Sequence, residues 1–299
     1  MTIIEFTQYF PTDQECKTHF KIQREKRGII CKKCNCKKHY WLESKLQWQC
    51  SGCRFRTTLR SGTFMEHTKL SFYKWYLCMA FMSSTKKGIS ALEMQRQLGH
   101  KRYNTVWCLM HKIRMAMGDR DSMYELKGSI EFDEGYFECA TLEKTILKRG
   151  RGSQKQINTV VMAESTPLED IKTGKKSSHC RYFKMKVMES HLKEEINTVV
   201  QTNINEKSIV FSDKSTSYVD ISSLVDTHII SVSTKETTKT TLKWVHIAIA
   251  NAKRNLLGVF HMVKGKYLQA YLNEFCYKIN RRYFANRLFD RLVIAVIGN

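Results

Sequence analysis

Proline is almost absent, at Pro11 and Pro167 only in 299 residues, and no glycine-rich or serine-rich tract interrupts the chain. That excludes a Pro-rich or low-complexity polypeptide and leaves no linker to mark a domain boundary. Long hydrophobic runs are missing too. The longest late one, Leu292 to Ile297, is much too short to cross a bilayer, which takes about 20 apolar residues. Met1 to Phe10 shows no basic stretch followed by an apolar one, so the chain is expected to be soluble and not exported. Acids are scarce relative to bases: 28 Asp and Glu face 50 Lys and Arg, a formal charge of +22. Charge of that size exceeds what solubility needs and suits the release of counterions from a polyanion, so nucleic acid is the expected partner and a membrane surface is set aside.

Cysteine is not scarce. Eleven are present, an odd number in a long chain without an export signal, which argues for reduced thiols or metal ligands over a disulfide framework. Cys31-Lys-Lys-Cys34 and Cys50-Ser-Gly-Cys53 form two C-x2-C pairs separated by 15 residues, a spacing at which two tight knuckles close a tetrahedral thiolate site for structural Zn2+. The intervening Lys37 to Gln49, with Tyr40, Trp41, Leu42, Leu46 and Trp48, reads as a hairpin too small to stand without the metal. Cys36 and His39 lie close enough to replace one ligand. A ribbon of this kind is a scaffold, and Lys32, Lys33, Lys37, Lys38, Arg54, Arg56 and Arg60 around it offer contacts to DNA.

With 42% hydrophobic residues the chain can bury a substantial core, and its length suggests two or three units. Changes of pattern divide it into a zinc-ribbon region at 1–60, a helical DNA-binding segment at 61–120 and an α/β domain at 121–299. In the second, Ile89, Leu92 and Leu98 precede Gly99-His100, and Val106, Leu109, Ile113 and Met117 recur at helical spacing after it. That layout resembles a helix-turn-helix, with Lys101, Arg102, Lys112 and Arg114 available to phosphates. In the third, Ser129 to Glu138, Ile157 to Glu164, Tyr182 to Met188 and Ile209 to Phe211 read as strands. Helices are expected over Glu189 to Thr202, Leu242 to Leu257 and Tyr267 to Asn280, giving a mixed sheet covered by helices.

Two acids in this last unit stand out. Asp133 lies mid-strand in Ile130-Glu-Phe-Asp-Glu-Gly-Tyr-Phe-Glu138, pointing away from Ile130 and Phe132, and Asp213 closes Ile209-Val-Phe-Ser-Asp at the carboxyl end, where open α/β sheets place their ligands. Carboxylates so placed in a basic chain are what divalent ions need for phosphoryl chemistry. A third ligand is expected from the helix around Trp244 to Arg254. His246 and Lys253, seven residues apart, share a face, so His246 can complete the metal site while Lys253 holds a DNA phosphate; Asn251 points about 140° away from His246. The basic run Lys144 to Lys155 is a further candidate for DNA contact.

These residues resemble the zinc-ribbon insertion-sequence transposases of the family numbered fifteen-ninety-five, in the DDE class. The resemblance covers nearly the whole chain: the four-cysteine ribbon, Phe-Asp-Glu-Gly-Tyr-Phe around Asp133, Phe-Ser-Asp at 211–213 followed by Tyr218, and above all Trp244-Val-His-Ile-Ala-Ile-Ala-Asn-Ala-Lys-Arg-Asn-Leu-Leu-Gly-Val-Phe-His261, continued by Lys266 to Phe275 and Asn280-Arg-Arg282. It implies an RNase-H-like catalytic fold, Asp133 and Asp213 as the first two catalytic acids, His246 where many relatives carry Glu or Asn, and Lys253 at the usual offset. It also implies cleavage of double-stranded DNA at the element's ends and strand transfer to target DNA with Mg2+ or Mn2+, by a homo-oligomer that holds two ends. The expected location is cytoplasmic, on a prokaryotic-type nucleoid. Imidazole in place of carboxylate should favour Mn2+ over Mg2+. The rival expectations are a catalytically decayed transposase and a non-enzymatic DNA-binding regulator.

Overall fold

Side-chain alternation in the segment Ser129–Glu138 dictates a strand with two different faces, and the computed structural model builds the larger of two units around it. The structure describes residues 1–140, 156–169, 176–190, 192–232, 234 and 240–298, with backbone alone for 167–169 and 176–178. The basic run expected at Lys144 to Lys155 lies outside the described residues.

One unit comprises Met1–Arg120 with Phe284–Asn299. It contains α1 (Ile3–Tyr9), α2 (Asp13–Arg27), a three-stranded antiparallel sheet of β1 (His39–Leu42), β2 (Gln47–Cys50) and β3 (Arg56–Thr58), then α3 (Phe72–Ser84), α4 (Ala91–Gln97), α5 (Tyr103–Ser122) and the C-terminal α9 (Leu288–Ile297). Thr2 and Thr12 cap the first two helices through their hydroxyls, and Ser71 and Ser90 cap α3 and α4, each satisfying an amide that the helix leaves orphaned. An aromatic cluster of Phe6, Phe10, Tyr76 and Phe289, with centroids 5.2–6.1 Å apart, ties α1, α3 and α9 together. Leu292 to Ile297, too short to span a bilayer, is therefore part of a buried helix. The segment 284–299 thus falls with the N-terminal residues instead of with the α/β unit that precedes it.

The other unit is Asp121–Tyr283. Its five-stranded sheet has the order β6-β5-β4-β7-β8, with β4 (Ser129–Glu138), β5 (Gln156–Glu169), β6 (Lys176–Val187), β7 (Ile209–Asp213) and β8 (Thr227–Ser231). The first three strands are antiparallel, whereas β4, β7 and β8 run parallel. This is the expected mixed sheet with flanking helices. On one face Ile130, Phe132, Val160 and Met162 pack against α6 (Lys193–Asn203) and the 3-10 segment Thr216–Ser223. On the other, Phe137, Val161 and Ala163 meet α7 (Lys243–Asn255) and α8 (Leu268–Asn280). Strands β4 and β5 are buried on both faces, so the helices enclose the middle of the sheet and fix which side of β4 receives each residue.

Candidate active site and metal centre

In the smaller sheet the two cysteine pairs form the same turn twice. The amide of Asn35 donates to Cys31 O at 2.9 Å and that of Arg54 to Cys50 O at 3.0 Å, and both Asn35 and Arg54 adopt positive φ. Cys31 N donates to Cys36 O and Cys50 N to Phe55 O, closing each loop at the equivalent place. Two knuckles thereby face one another, with Cys31 Sγ 3.5 Å from Cys53 Sγ and Cys34 Sγ 3.5 Å from Cys50 Sγ. All four sulfurs lie within 4.8 Å of one another, close to the roughly 3.8 Å edge of a tetrahedral zinc thiolate site with Zn–S near 2.3 Å. This quartet could hold a metal ion. Cys36 turns instead to Ser51 Oγ at 3.7 Å, and the sheet brings Trp41 directly opposite Trp48, centroids 4.9 Å apart.

The carboxylates sit in the larger sheet. Parallel pairing of Phe132 with Ser212 sets Asp133 and Asp213, each one residue further on, side by side at the end of β7. Burial, then the charges of Asp213 and Glu134, push the Asp133 carboxyl up to about 6, and burial with Glu134 raises Asp213 while His246 opposes the rise. Asp213 Oδ1 is buried with no hydrogen-bond donor among the described residues. An orphaned acceptor, two mutually repelling carboxylates and a nearby imidazole form a donor set that fits a divalent cation, which would supply the missing partner and the missing positive charge.

Helix α7 lies along β4, and successive same-face residues of the strand meet successive turns of the helix. Glu131 Oε2 accepts from the amides of Trp244 and Val245 at 2.6 and 3.1 Å. Asp133 Oδ2 lies 3.5 Å from His246 Nε2. A Cβ on Gly135 would come 3.1 Å from Ile249 Cγ1, so the missing side chain lets the helix approach. Phe137 carries Lys253 Nζ 5.9 Å above its ring. His246 and Lys253 therefore share the face turned to β4, as their spacing implies, whereas Asn251 is exposed. Burial lowers the His246 pKa, Asp213 raising it, so the ring is disposed to be neutral and to offer a lone pair.

Several groups at this site escape a reading by motif. Glu134 receives Tyr218 OH at 3.2 Å on Oε1, and Asn158 Nδ2 at 2.8 Å on Oε2. Its own amide donates to Asp133 Oδ1 at 2.7 Å. Glu131 is buried and pushed up to about 7 by burial against its two amide bonds and Lys243. Alternation along β4 could have flagged Glu131 as sharing the face of Asp133; nothing in the sequence says that a helix start covers it.

A model of the ISXO2-like transposase domain matches residues 125–280, more than half of the chain. This chain belongs to that transposase family. No curated protein matches it. Among solved structures it is similar to a pre-cleavage Mos1 transpososome, at 10% identity and TM-score 0.25 over 78% of this chain and 82% of that one. It is also similar to the Mos1 transposase paired-end complex with left transposon end, at 11% identity and TM-score 0.26 over 70% and 74%.

The matched domain ends on a polar knot. Asp121 accepts from Tyr182 OH at 2.8 Å, from Asn280 Nδ2 at 3.2 Å and from Arg281, while Asn280 also bonds both backbone groups of Phe183 at 2.8 Å. Asn280 and Arg281 hold α8 to β6, and Arg282 bonds Cys180 O at 3.1 Å, whereas His261 is exposed. In the other unit α4 and α5 flank the turn at Gly99, as the spacing predicts. Arg114, read as available to phosphates, is 1% exposed, because it falls on the inward face of α5 among Met110, Ile113 and Met117. Arg60 is likewise tied to Thr68 O and Leu70 O, with its guanidinium 4.6 Å over Phe72. Lys69, Lys74, Lys101, Arg102 and Lys112 line a cleft of about 880 Å³ that has no acid in its wall. No helix among the described residues is long and apolar enough to cross a membrane.

Proposed function

We propose that this transposase binds the ends of an insertion sequence and catalyses metal-dependent DNA cleavage and strand transfer, with Asp133, Asp213 and His246 as the catalytic metal ligands. The observation that carries the reading is the meeting of the three: two acids on adjacent parallel strands, and His246 Nε2 3.5 Å from Asp133 Oδ2. A divalent ion held by them would stabilise charge on the attacking and leaving oxygens of an in-line displacement. Asp133 and Asp213 keep their carboxylates together against mutual repulsion, poised to accept that ion. His246, with its pKa lowered by burial, presents a neutral nitrogen. Lys253, exposed on the same helix face, binds the DNA phosphate next to the scissile one. Zn2+ in the cysteine quartet holds the ribbon, whose exposed Lys33, Lys37, Lys38, Arg54 and Arg56 contact the duplex backbone, together with Lys101 and Arg102 of the basic cleft. Two protein copies hold the two ends.

The test is cleavage and strand transfer on the element's own ends with Mn2+, comparing wild type with Asp133→Ala. Metal-dependent products from the wild type alone support the reading. End binding without products would favour a decayed transposase, a reading that the imidazole at 246 motivates. Wild-type function retained by Asp133→Ala would favour a DNA-binding regulator.

A further inference from the structure

We propose that Glu131 is a positioning residue for the metal site, acting through His246 by fixing the start of α7 on β4; this rests on the reading of Asp133, Asp213 and His246 as metal ligands. Helix α7 begins without help from its own sequence. Its N-cap is Leu242, which makes no side-chain cap bond, and no acid occupies its first turn. The first amides of a helix need acceptors, and its positive end favours an anion. Both needs are met from the sheet, since Glu131 Oε2 takes the amides of Trp244 and Val245.

The consequence lies in the spacing. Glu131 and Asp133 are two residues apart on one face of β4, about 6.7 Å along the strand, and the capped amides and His246 are neighbours at the start of the helix. The carboxylate that anchors the helix and the one that meets the imidazole are thus consecutive rungs of a single ladder. Gly135 against Ile249 and Phe137 beneath Lys253 continue it, so the helix is held in both translation and rotation. Releasing the first rung frees the end of α7 nearest His246, while the packing of Ile249 and Ala252 remains. Glu131 Oε2 is taken up by the two helix amides, and its 4% exposure leaves it no route to DNA.

A double-mutant cycle tests this. Mn2+ binding to the full-length protein is measured for wild type, Glu131→Ala, His246→Ala and the double variant, with Glu131→Gln, which keeps an acceptor oxygen, as the conservative rescue. Loss of a group that orients a metal ligand typically weakens metal affinity about 10- to 100-fold. Glu131→Ala should lose at least about tenfold, Glu131→Gln should recover most of it, and Glu131→Ala should add nothing once His246 is already alanine. Equal losses in the presence and absence of His246, or wild-type affinity in Glu131→Ala, would overturn the proposal. A separate measurement covers the metal-free protein. The His246 ring resonances should shift in Glu131→Ala and return in Glu131→Gln, and unchanged resonances would also overturn it. Failure of the wild type to bind Mn2+ would refute the metal reading itself, and the ring resonances would then decide the positioning role alone.

Discussion

The cysteine quartet and the acidic site are both metal-type donor sets, and they are built in opposite ways. The quartet comes from one short segment, Cys31 to Cys53, and its four sulfurs already lie within 4.8 Å of one another. The acidic set draws on two strands and a helix spanning Asp133 to His246, and among the described residues it does not gather three ligand atoms that closely. Soft thiolates on two repeated turns would suit a closed structural site. Carboxylates raised by burial and repulsion, one with an oxygen that meets no donor among the described residues, would suit an open site whose ion also meets a substrate phosphate. The difference teaches that local spacing suffices where the metal organises the fold, and that the fold must come first where the metal serves a reaction.

The largest effect that could break this contrast is removal of the quartet's metal. Structural zinc binding is worth roughly 10–16 kcal/mol in small zinc modules, so a strong chelator or Cys50→Ser should unfold the ribbon. Trp41 and Trp48 fluorescence should report that unfolding, while the ring resonances of His246 stay unchanged; fluorescence indifferent to chelation would make the quartet a set of ordinary thiols. Next, Asp133→Ala should cut strand transfer by about a thousandfold or more without changing thermal stability by more than about 1 kcal/mol, as expected for a group built for chemistry. Phe289→Ala should cost about 3–5 kcal/mol in the unit that contains the ribbon, read by denaturant unfolding, because its ring fills the cluster of Phe6, Phe10 and Tyr76.

A smaller effect sharpens the acidic side. His246→Glu restores a hard oxygen donor and should move the Mn2+ to Mg2+ rate ratio toward Mg2+ by about tenfold, whereas equal rates with either ion in both proteins would remove the imidazole from the site. The smallest concerns acid. Burial, with Arg114 adding to it, lowers His111 to about 4, so below its ordinary 6.5 the unfolded chain takes up a proton that the folded one refuses. Stability of that unit should therefore fall as pH drops from about 6.5 toward 4, and the fall should be shallower in His111→Gln.

Legibility followed the same divide. The C-x2-C pairs, β4 over Ser129–Glu138 and α8 ending at Asn280 could be read closely, because each has a strong period or spacing of its own. Strand β8 could not: Thr-His-Ile-Ile-Ser is a short edge strand with Ile229 and Ile230 both exposed, so no alternation marks it. Helices α1 and α2 were hidden inside the stretch assigned to the ribbon, where the cysteines dominate the pattern. Arg114 shows the limit of counting charges. A cation on a helix is free for DNA only if its face is, and the packing of α5 decides that.

By itself the sequence determined what local geometry and charge can carry: two cysteine knuckles at metal-ligand spacing, a strongly basic balance of charge, and the shared face of His246 and Lys253 on one helix. Seven residues at 100° each return to one side whatever surrounds them. Only the tertiary structure decided which acids meet. Asp133 and Asp213 become neighbours because β4 and β7 pair in parallel after a long excursion through β5, β6 and α6. Glu131 becomes the cap of α7 because a helix more than a hundred residues later begins over its strand. Such partners are chosen by strand register and by burial of the two sheet faces, which depend on the whole unit and leave no mark on the spacing of any one segment.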